Sequence, residues 1–218
     1  MSVPEEIRRN LEEKYGLSET NPPVLAQEVY MDSGTAQKTA LQAVTIVPHE
    51  EIGPLKLGME PAQILLAIQT LHRELGLPAS KISISEDLPI GKRCCRRYQD
   101  GGWAFFLVTY EQEQAVEIAV DCSLREVCPV LLGGLDCFKM KAETLVQTLQ
   151  RSGPCIWDDE EEQLATNYEF PALGIRLWRE NAFDPRLLTD PGYRAEKGED
   201  WEEERQYLYF QVVAVQRR

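Results

Sequence analysis

The clearest pattern of apolar and polar positions lies between residues 61 and 76. Pro61 suits the first turn of a helix, and Gly76 is a suitable C-cap. The sequence therefore predicts an amphipathic helix that buries one stripe against a core. The apolar positions of this stripe recur at helical spacing: Ile64, Leu65, Ile68 and Leu71.

Strand patterns flank this helix. Ala43–Val47 is rich in β-branched residues and predicts a strand. Leu55, Leu57 and Met59 alternate with polar or small residues, which is typical of a short, half-buried strand. Residues 77–97 are rich in turn formers and predict a loop. Residues 103–110 and 115–121 predict the two strands of a hairpin, joined by a turn at residues 111–114.

A similar pattern returns in the second half of the chain. Residues 142–149 predict a second amphipathic helix, which ends near Gly153. At an offset of 81 positions, Met59 aligns with Met140. The apolar residues Ile64, Leu65 and Ile68 align with Leu145, Val146 and Leu149. Residues 173–179 and 206–215 predict further strands, separated by a long loop.

These elements predict an α+β fold, a mostly antiparallel curved sheet with two helices on one side. Two degenerate strand–helix–hairpin repeats, residues 43–121 and 135–215, would form it. Residues 27–218 are expected to be a single domain. Residues 1–26 are expected to form a surface helix and linker, because Ser2 and Glu5 have capping-box spacing and Pro22-Pro23 ends the segment.

The net charge of the chain limits the classes of partner that it is expected to bind. The chain carries 36 acidic and 23 basic residues, a formal net charge of −13. Such a field repels phosphate backbones, so nucleic-acid binding is not expected, whereas a basic protein partner is favoured. Residues 158–204 contain 15 acidic and five basic residues, so −10 of the net charge lies there. This asymmetry makes the C-terminal part the expected partner surface.

Two acidic runs in this region contain tryptophan, the kind of residue that anchors protein interfaces inside a charged rim. A solvated charged loop is the simpler interpretation of the same runs. A calcium or magnesium site is a third interpretation, although the glycine and ligand spacing of an EF-hand are missing. The predicted partner-binding residues are Trp157, Asp158, Asp159, Glu160, Glu161, Glu162, Trp201, Glu202, Glu203 and Glu204.

Motifs for catalysis, cofactors or structural metals are missing from the sequence. No catalytic residue, metal site or cofactor is therefore predicted. An alternative hypothesis is an enzyme or small-ligand-binding protein with an unrecognised site. Its candidates are Cys95 with Arg96, or Glu117 and Asp121 on the predicted hairpin. Cations beside the Cys94-Cys95 pair would lower the thiol pKa and increase reactivity.

The run from Ile52 to Met59, followed by a helix from Pro61, resembles a turn-and-helix pattern of small bacterial immunity-protein-like domains and domains of unknown function. It is also similar to the start of outer-membrane assembly lipoproteins, but the lipoprotein signal of that family is missing here. The resemblance covers about 20 residues and brings no catalytic residue with it. It implies a small α/β sheet module, usually a binding module.

The favoured hypothesis is a non-enzymatic, intracellular binding protein, such as an immunity-type neutraliser of a basic partner. A structural subunit without a binding motif is a further alternative. The first residues lack an apolar signal region, and no run approaches 18 apolar residues, so a cytoplasmic location away from membranes is expected. The oligomeric state is left open.

Overall fold

The computed structural model describes residues 25–32, 43–87, 89–100 and 104–217. The predicted N-terminal helix lies outside these residues, as does Trp103 at the start of the predicted hairpin. The described residues form fourteen strands. They are β1 (Leu25–Met31), β2 (Val44–Val47), β3 (Glu51–Ile52), β4 (Leu55–Lys56), β5 (Ser80–Glu86), β6 (Arg93–Asp100), β7 (Ala104–Glu111), β8 (Gln114–Asp121), β9 (Val130–Leu132), β10 (Leu135–Asp136), β11 (Ile156–Trp157), β12 (Asn167–Phe170), β13 (Ile175–Trp178) and β14 (Val212–Gln216).

Nine of these strands form one antiparallel sheet in the spatial order β1-β5-β6-β7-β8-β14-β13-β12-β11. It is open, with β1 and β11 at its two edges. At its centre, β8 pairs with β14, so that Val120 lies opposite Val213. A second sheet has the order β10-β9-β2-β3-β4 and contains one parallel pair, β2 with β9. The chain is therefore an α+β protein built mainly on antiparallel pairing, as the sequence predicts.

Four α-helices accompany the sheets in the described residues: α1 (Pro61–Glu74), α2 (Ala142–Leu149), α3 (Pro191–Lys197) and α4 (Trp201–Glu204). The apolar stripes of α1 and α2 belong to the same core cluster as Phe106 and Val108 of β7 and Val213 of β14. Both helices therefore cover one face of the large sheet, because burying the two stripes and that face together removes the most apolar surface from water.

The two halves of the large sheet are arranged alike around the central β8–β14 pair. In each half a helix is followed by four strands of this sheet, β5–β8 after α1 and β11–β14 after α2. Each helix entry is joined to the last of these strands or to the residues just before it. Gly58 N donates to Ala115 O (2.7 Å), and Ala115 N donates to Met59 O (2.9 Å). Lys141 forms the corresponding bridge with Tyr209. The strand–helix–hairpin pattern recurs in the topology, while the boundaries 43–121 and 135–215 stay a prediction.

Two segments differ from the sequence prediction. The expected loop at residues 77–97 contains β5 and most of β6, whose polar side chains made the segment resemble a turn. Arg96 and Arg97 on β6 pair with Glu86 and Asp87 (2.5 and 2.9 Å between nitrogen and oxygen), so cross-strand ion pairs replace apolar alternation there.

The second difference concerns the predicted strand at residues 206–215. Only Val212–Gln216 is a strand, and residues 205–208 form a 3₁₀ turn. The preceding tyrosines pack elsewhere, in a small second cluster built on Phe183, Trp201 and Leu208. We call this cluster, together with its neighbours Tyr193 and Tyr207, the satellite cluster. It gives residues 183–209 a core of their own instead of the long loop that was predicted.

Candidate functional site

The first predicted acidic run follows β11, the strand at one edge of the large sheet. The side chains of Ile156 and Trp157 on this strand are unusually exposed, at 56% and 38%. Successive side chains of a strand point to opposite faces of the sheet, so Ile156 and Trp157 lie on opposite faces at this edge. The carboxylates of Asp159, Glu160 and Glu161 follow directly and face solvent. An apolar pair and three acidic groups therefore share this edge.

Asp158 has a structural role within the same run. Its carboxylate accepts hydrogen bonds from Thr166 N (2.9 Å), Thr166 Oγ1 (2.9 Å) and Asn167 N (3.0 Å). These bonds close the loop that joins β11 to β12. Glu162 is half-buried, and its carboxylate accepts a hydrogen bond from Gln150 Nε2. Of the predicted residues in this run, Asp158 and Glu162 thus stabilise the loop through hydrogen bonds, in addition to carrying negative charge.

Trp201 is not the exposed anchor that its acidic neighbours suggested. It is 7% exposed, and its ring lies 6.2 Å from those of Phe183 and Tyr193, edge to face. The Arg194 guanidinium covers the indole at 5.8 Å from its centroid. Burying this large aromatic surface in the satellite cluster removes it from water, which explains the inward orientation.

The acidic residues after Trp201 have different environments. Glu203 is exposed. Glu204 is half-buried and accepts hydrogen bonds from Lys197 Nζ (2.7 Å) and Tyr193 Oη (3.2 Å), which tie α3 to α4. Glu202 lies in α4, and its side chain is outside the described part of the structure. The second run thus supports the satellite cluster through Trp201 and Glu204.

A cavity of about 400 Å³ lies between the first predicted acidic segment and the satellite cluster. Helix α2, the acidic turn, strand β12 and the satellite cluster each contribute to its wall. The structure therefore brings Glu161 and Glu162 to the same cavity as Phe183, which itself contacts Trp201. The lining side chains belong to Lys141, Glu143, Val146, Gln147, Glu161, Glu162, Gln163, Tyr168, Arg179, Phe183 and Leu208.

Arg179 is the central residue of this cavity wall and is only 3% exposed. Its Nε and Nη2 both donate to Ala165 O (3.0 and 2.9 Å), and Nη2 also donates to Gln163 O (2.7 Å). Nη1 donates to Tyr207 O (3.3 Å). Burial lowers the pKa of Arg179 from its ordinary value, although an arginine remains charged. The guanidinium thus clamps the acidic turn to the satellite cluster.

Tyr168 completes the buried polar wall beside Arg179. Its hydroxyl donates to the carbonyl of Glu162 and accepts a hydrogen bond from Arg179 Nη2 (3.3 Å). Burial raises the pKa of Tyr168 to about 12, so the phenol is neutral at physiological pH. The part of the cavity wall around Arg179 therefore combines one buried cation with neutral hydrogen-bonding groups.

The Cys94-Cys95 pair does not have the lowered pKa expected from its basic neighbours. Burial raises the pKa of Cys94 to about 12 and also raises that of Cys95. Arg96 and Arg97 are held by Glu86 and Asp87, so their charges are compensated before they can favour a thiolate. Cys95 Sγ lies 3.2 Å from Thr109 Oγ1, in a hydrogen bond between neutral groups. The proposed reactive-thiol site is therefore disfavoured.

We expect the native protein to resist alkylation at these two cysteines. At pH 8 a thiol with a pKa near 12 exposes so little thiolate that Cys94 should react about a thousandfold more slowly than an unfolded thiol. The rate should keep rising with pH well above 9. Iodoacetamide labelling followed by mass spectrometry, in buffer and in guanidinium chloride, measures this ratio. Equal labelling rates in the two conditions at pH 8 would contradict it.

Glu117 and Asp121, the other candidates for chemistry, do not converge on one point. Glu117 Oε1 is 2.5 Å from Arg176 Nη2, in a largely buried ion pair. Burial raises the pKa of Glu117, and the Arg176 charge opposes that shift. Asp121 instead accepts a hydrogen bond from Ser123 N (2.8 Å) and caps a 3₁₀ turn. Their roles are structural, so neither forms an acid–base pair with the other.

In residues 25–32, 43–87, 89–100 and 104–217, no three His, Cys, Asp or Glu side chains are placed to hold a metal ion together. None of the helices in those residues combines the length and apolar character needed to cross a membrane.

Sequence reasoning did not find the cavity, Arg179 or Ile156. Arg179 directly follows β13 and is the last residue of the predicted strand 173–179. Nothing in its local sequence distinguishes it from the exposed arginines. Ile156 follows the helix α2 and carries no motif. Their environment forms only when four segments that are distant in sequence come into contact in the fold.

Fold and site together define an α+β protein of two sheets with a mixed-charge cavity beside an acidic sheet edge. The chain matches no protein-family model, no curated protein and no solved structure.

Proposed function

We propose that the protein is a non-enzymatic binding protein that recognises a basic protein partner through the edge of its large sheet. The binding surface consists of Ile156, Trp157, Asp159, Glu160 and Glu161, and we call it the edge surface. The observation that carries the proposal is the exposure of two large apolar side chains directly beside three solvent-facing carboxylates. Apolar anchors inside a charged rim are typical of protein interfaces.

The position of the edge surface supports the same proposal. β11 pairs with β12 on one side, through Ile156–Glu169 and Trp157–Tyr168. Its other side is an edge of the described sheet, where backbone groups can pair with an added chain. A partner that covers this edge would bury Ile156 and Trp157 together. The carboxylates would accelerate encounter with a basic partner and disfavour acidic ones.

The role proposed here is that of an immunity-type neutraliser, which occupies a basic cleft of its partner. The concentration of negative charge in residues 158–204 suits such a cleft. All six cysteines lie within the described residues and are unpaired thiols. Unpaired thiols suit a reducing compartment, so we place the protein in the cytoplasm.

The experiment begins with a pull-down from host lysate, eluted with increasing salt and read by mass spectrometry. We then expect Asp159→Asn with Glu160→Gln to slow association with the captured basic partner about tenfold at low salt. The same pair should weaken the salt dependence of the rate. Both carboxylates are exposed, so folding is not expected to change.

The matched control removes two charges elsewhere, by Glu113→Gln with Glu126→Gln, both at exposed positions. This control should change the rate less than twofold, although it alters the net charge equally. Trp157→Ala should weaken the complex by about 2 kcal/mol, mostly through faster dissociation. If the two double variants bind alike and Trp157→Ala binds as tightly as wild type, the edge surface is not the binding surface.

A further inference from the structure

The cavity beside Arg179 is a separate feature with its own recognisable chemistry. Its volume of about 400 Å³ lies at the lower end of the range for small-molecule sites. Three of its lining side chains are apolar and buried: Val146, Phe183 and Leu208. These side chains belong to two different clusters, so the cavity lies where the main core and the satellite cluster meet.

The inner wall carries a positive charge, that of Arg179, and the nearby Asp158 carboxylate compensates it only in part. Every hydrogen-bond acceptor of Arg179 is a neutral oxygen, from a backbone carbonyl or from Tyr168. No ion pair joins Arg179 to a carboxylate in the described residues. Nη1 carries two N–H groups and makes one hydrogen bond, to Tyr207 O. A buried charge of this kind is costly, and an incoming carboxylate would offset the cost through a charge-assisted bond.

The outer wall carries the opposite charge. Glu143 and Glu161 line it from exposed positions, and Glu162 lines it from a half-buried one. Lys141, also exposed, adds a second cation to the lining. A purely anionic ligand would meet three carboxylates, and a purely cationic ligand would approach Arg179 and Lys141. A ligand with both charges and an apolar body matches the cationic inner wall, the acidic outer wall and the apolar side chains between them.

We propose that this cavity binds a free apolar α-amino acid as its zwitterion. The ligand carboxylate lies towards Arg179 and Lys141, and the ligand ammonium is held by the glutamates of the outer wall. The apolar side chain packs against Val146, Phe183 and Leu208. The cavity shares Glu161 with the edge surface, whereas Asp159 and Glu160 do not line it, so variants at Asp159 and Glu160 test the edge surface alone.

Isothermal titration calorimetry on the full chain tests the proposal, with the twenty amino acids as probes. We expect phenylalanine, leucine or methionine to bind with a Kd of about 1 mM or tighter. Phenethylamine lacks the carboxylate and 3-phenylpropionate lacks the ammonium, so each should bind at least about tenfold more weakly than phenylalanine. N-acetyl-phenylalanine amide, which lacks both charges, should not bind.

Variants of the outer wall locate the site without disturbing the core. Glu143→Gln and Lys141→Met are at exposed positions, and each should weaken amino-acid binding about fivefold. Arg151→Met, an exposed control that does not line the cavity, should leave binding unchanged. The proposal is overturned if no apolar amino acid binds, if the uncharged analogue binds equally well, or if both wall variants bind like the control.

Discussion

Replacing Arg179 by methionine is expected to lower the free energy of unfolding by about 3–5 kcal/mol. The side chain is buried, and its guanidinium donates to the carbonyls of Gln163, Ala165 and Tyr207. Methionine has a similar length but no donors, so the substitution leaves these acceptors buried without the charged partner. Each such loss costs roughly 1–3 kcal/mol, partly recovered by relaxation.

Chemical denaturation followed by tryptophan fluorescence measures this change. Arg179→Lys keeps a charge but offers a compact ammonium in place of a planar fork, so it should lose about half as much stability. Arg151→Met, at an exposed position, is the matched control and should change stability by less than about 0.5 kcal/mol. Equal midpoints for Arg179→Met and Arg151→Met would show that the guanidinium clamp does not hold the satellite cluster.

The second large effect is expected at Gly174, in the turn between β12 and β13. Its φ is +58°, and a Cβ there would lie 2.1 Å from His49 Nδ1 and 2.6 Å from Gln216 O. We expect Gly174→Ala to destabilise the fold by about 2–4 kcal/mol, because left-handed backbone strain and a steric clash add. The same denaturation experiment measures it.

The clash at Gly174 arises where the two sheets meet. His49 lies in the turn between β2 and β3 and itself has a φ of 61°. Its Nε2 is 3.1 Å from Ala172 O, so the imidazole donates across to the β12–β13 turn. A side chain at position 174 would displace this ring and separate the turn of the small sheet from the large sheet.

Two controls separate the steric clash from the backbone strain. Gly133 has a nearly equal φ of +57°, and a Cβ there meets nothing within 4 Å. Gly133→Ala should therefore lower the free energy of unfolding only through backbone strain, by about 1–2 kcal/mol. Adding His49→Ala to Gly174→Ala removes the closest contact and should give a favourable coupling energy, although Gln216 O still obstructs the new Cβ. Equal losses for the two glycine variants would exclude the clash.

The sequence was most informative where one face of an element is apolar. The helical stripe of α1 at Ile64, Ile68 and Leu71 follows from spacing alone, and all three side chains are buried. The hairpin of β7 and β8 was predicted for the same reason, since alternation and a polar turn are local signals. Strands β5 and β6 were missed because charged side chains that form cross-strand ion pairs, such as Arg96 with Glu86, interrupt the apolar alternation that indicates a strand.

The candidate site was predicted less completely than the fold. The sequence located the acidic run beside Trp157, which lies at an exposed sheet edge. It could not distinguish Trp157 from Trp201, because both stand beside acidic residues while only one has Phe183 and Tyr193 to pack against. The environment of an aromatic side chain is set by partners that are distant in sequence.

The sequence by itself determined the α+β class, the two helical stripes, the central hairpin and the concentration of negative charge in the C-terminal part. These properties depend on residue type and on short-range spacing, which folding does not change. Only the tertiary structure decided which charges are used within the fold and which face solvent. Asp158 closes a loop and Arg179 clamps two segments, and burial raises the pKa of Cys94. These outcomes depend on burial and hydrogen bonding, which contacts between different segments of the chain create.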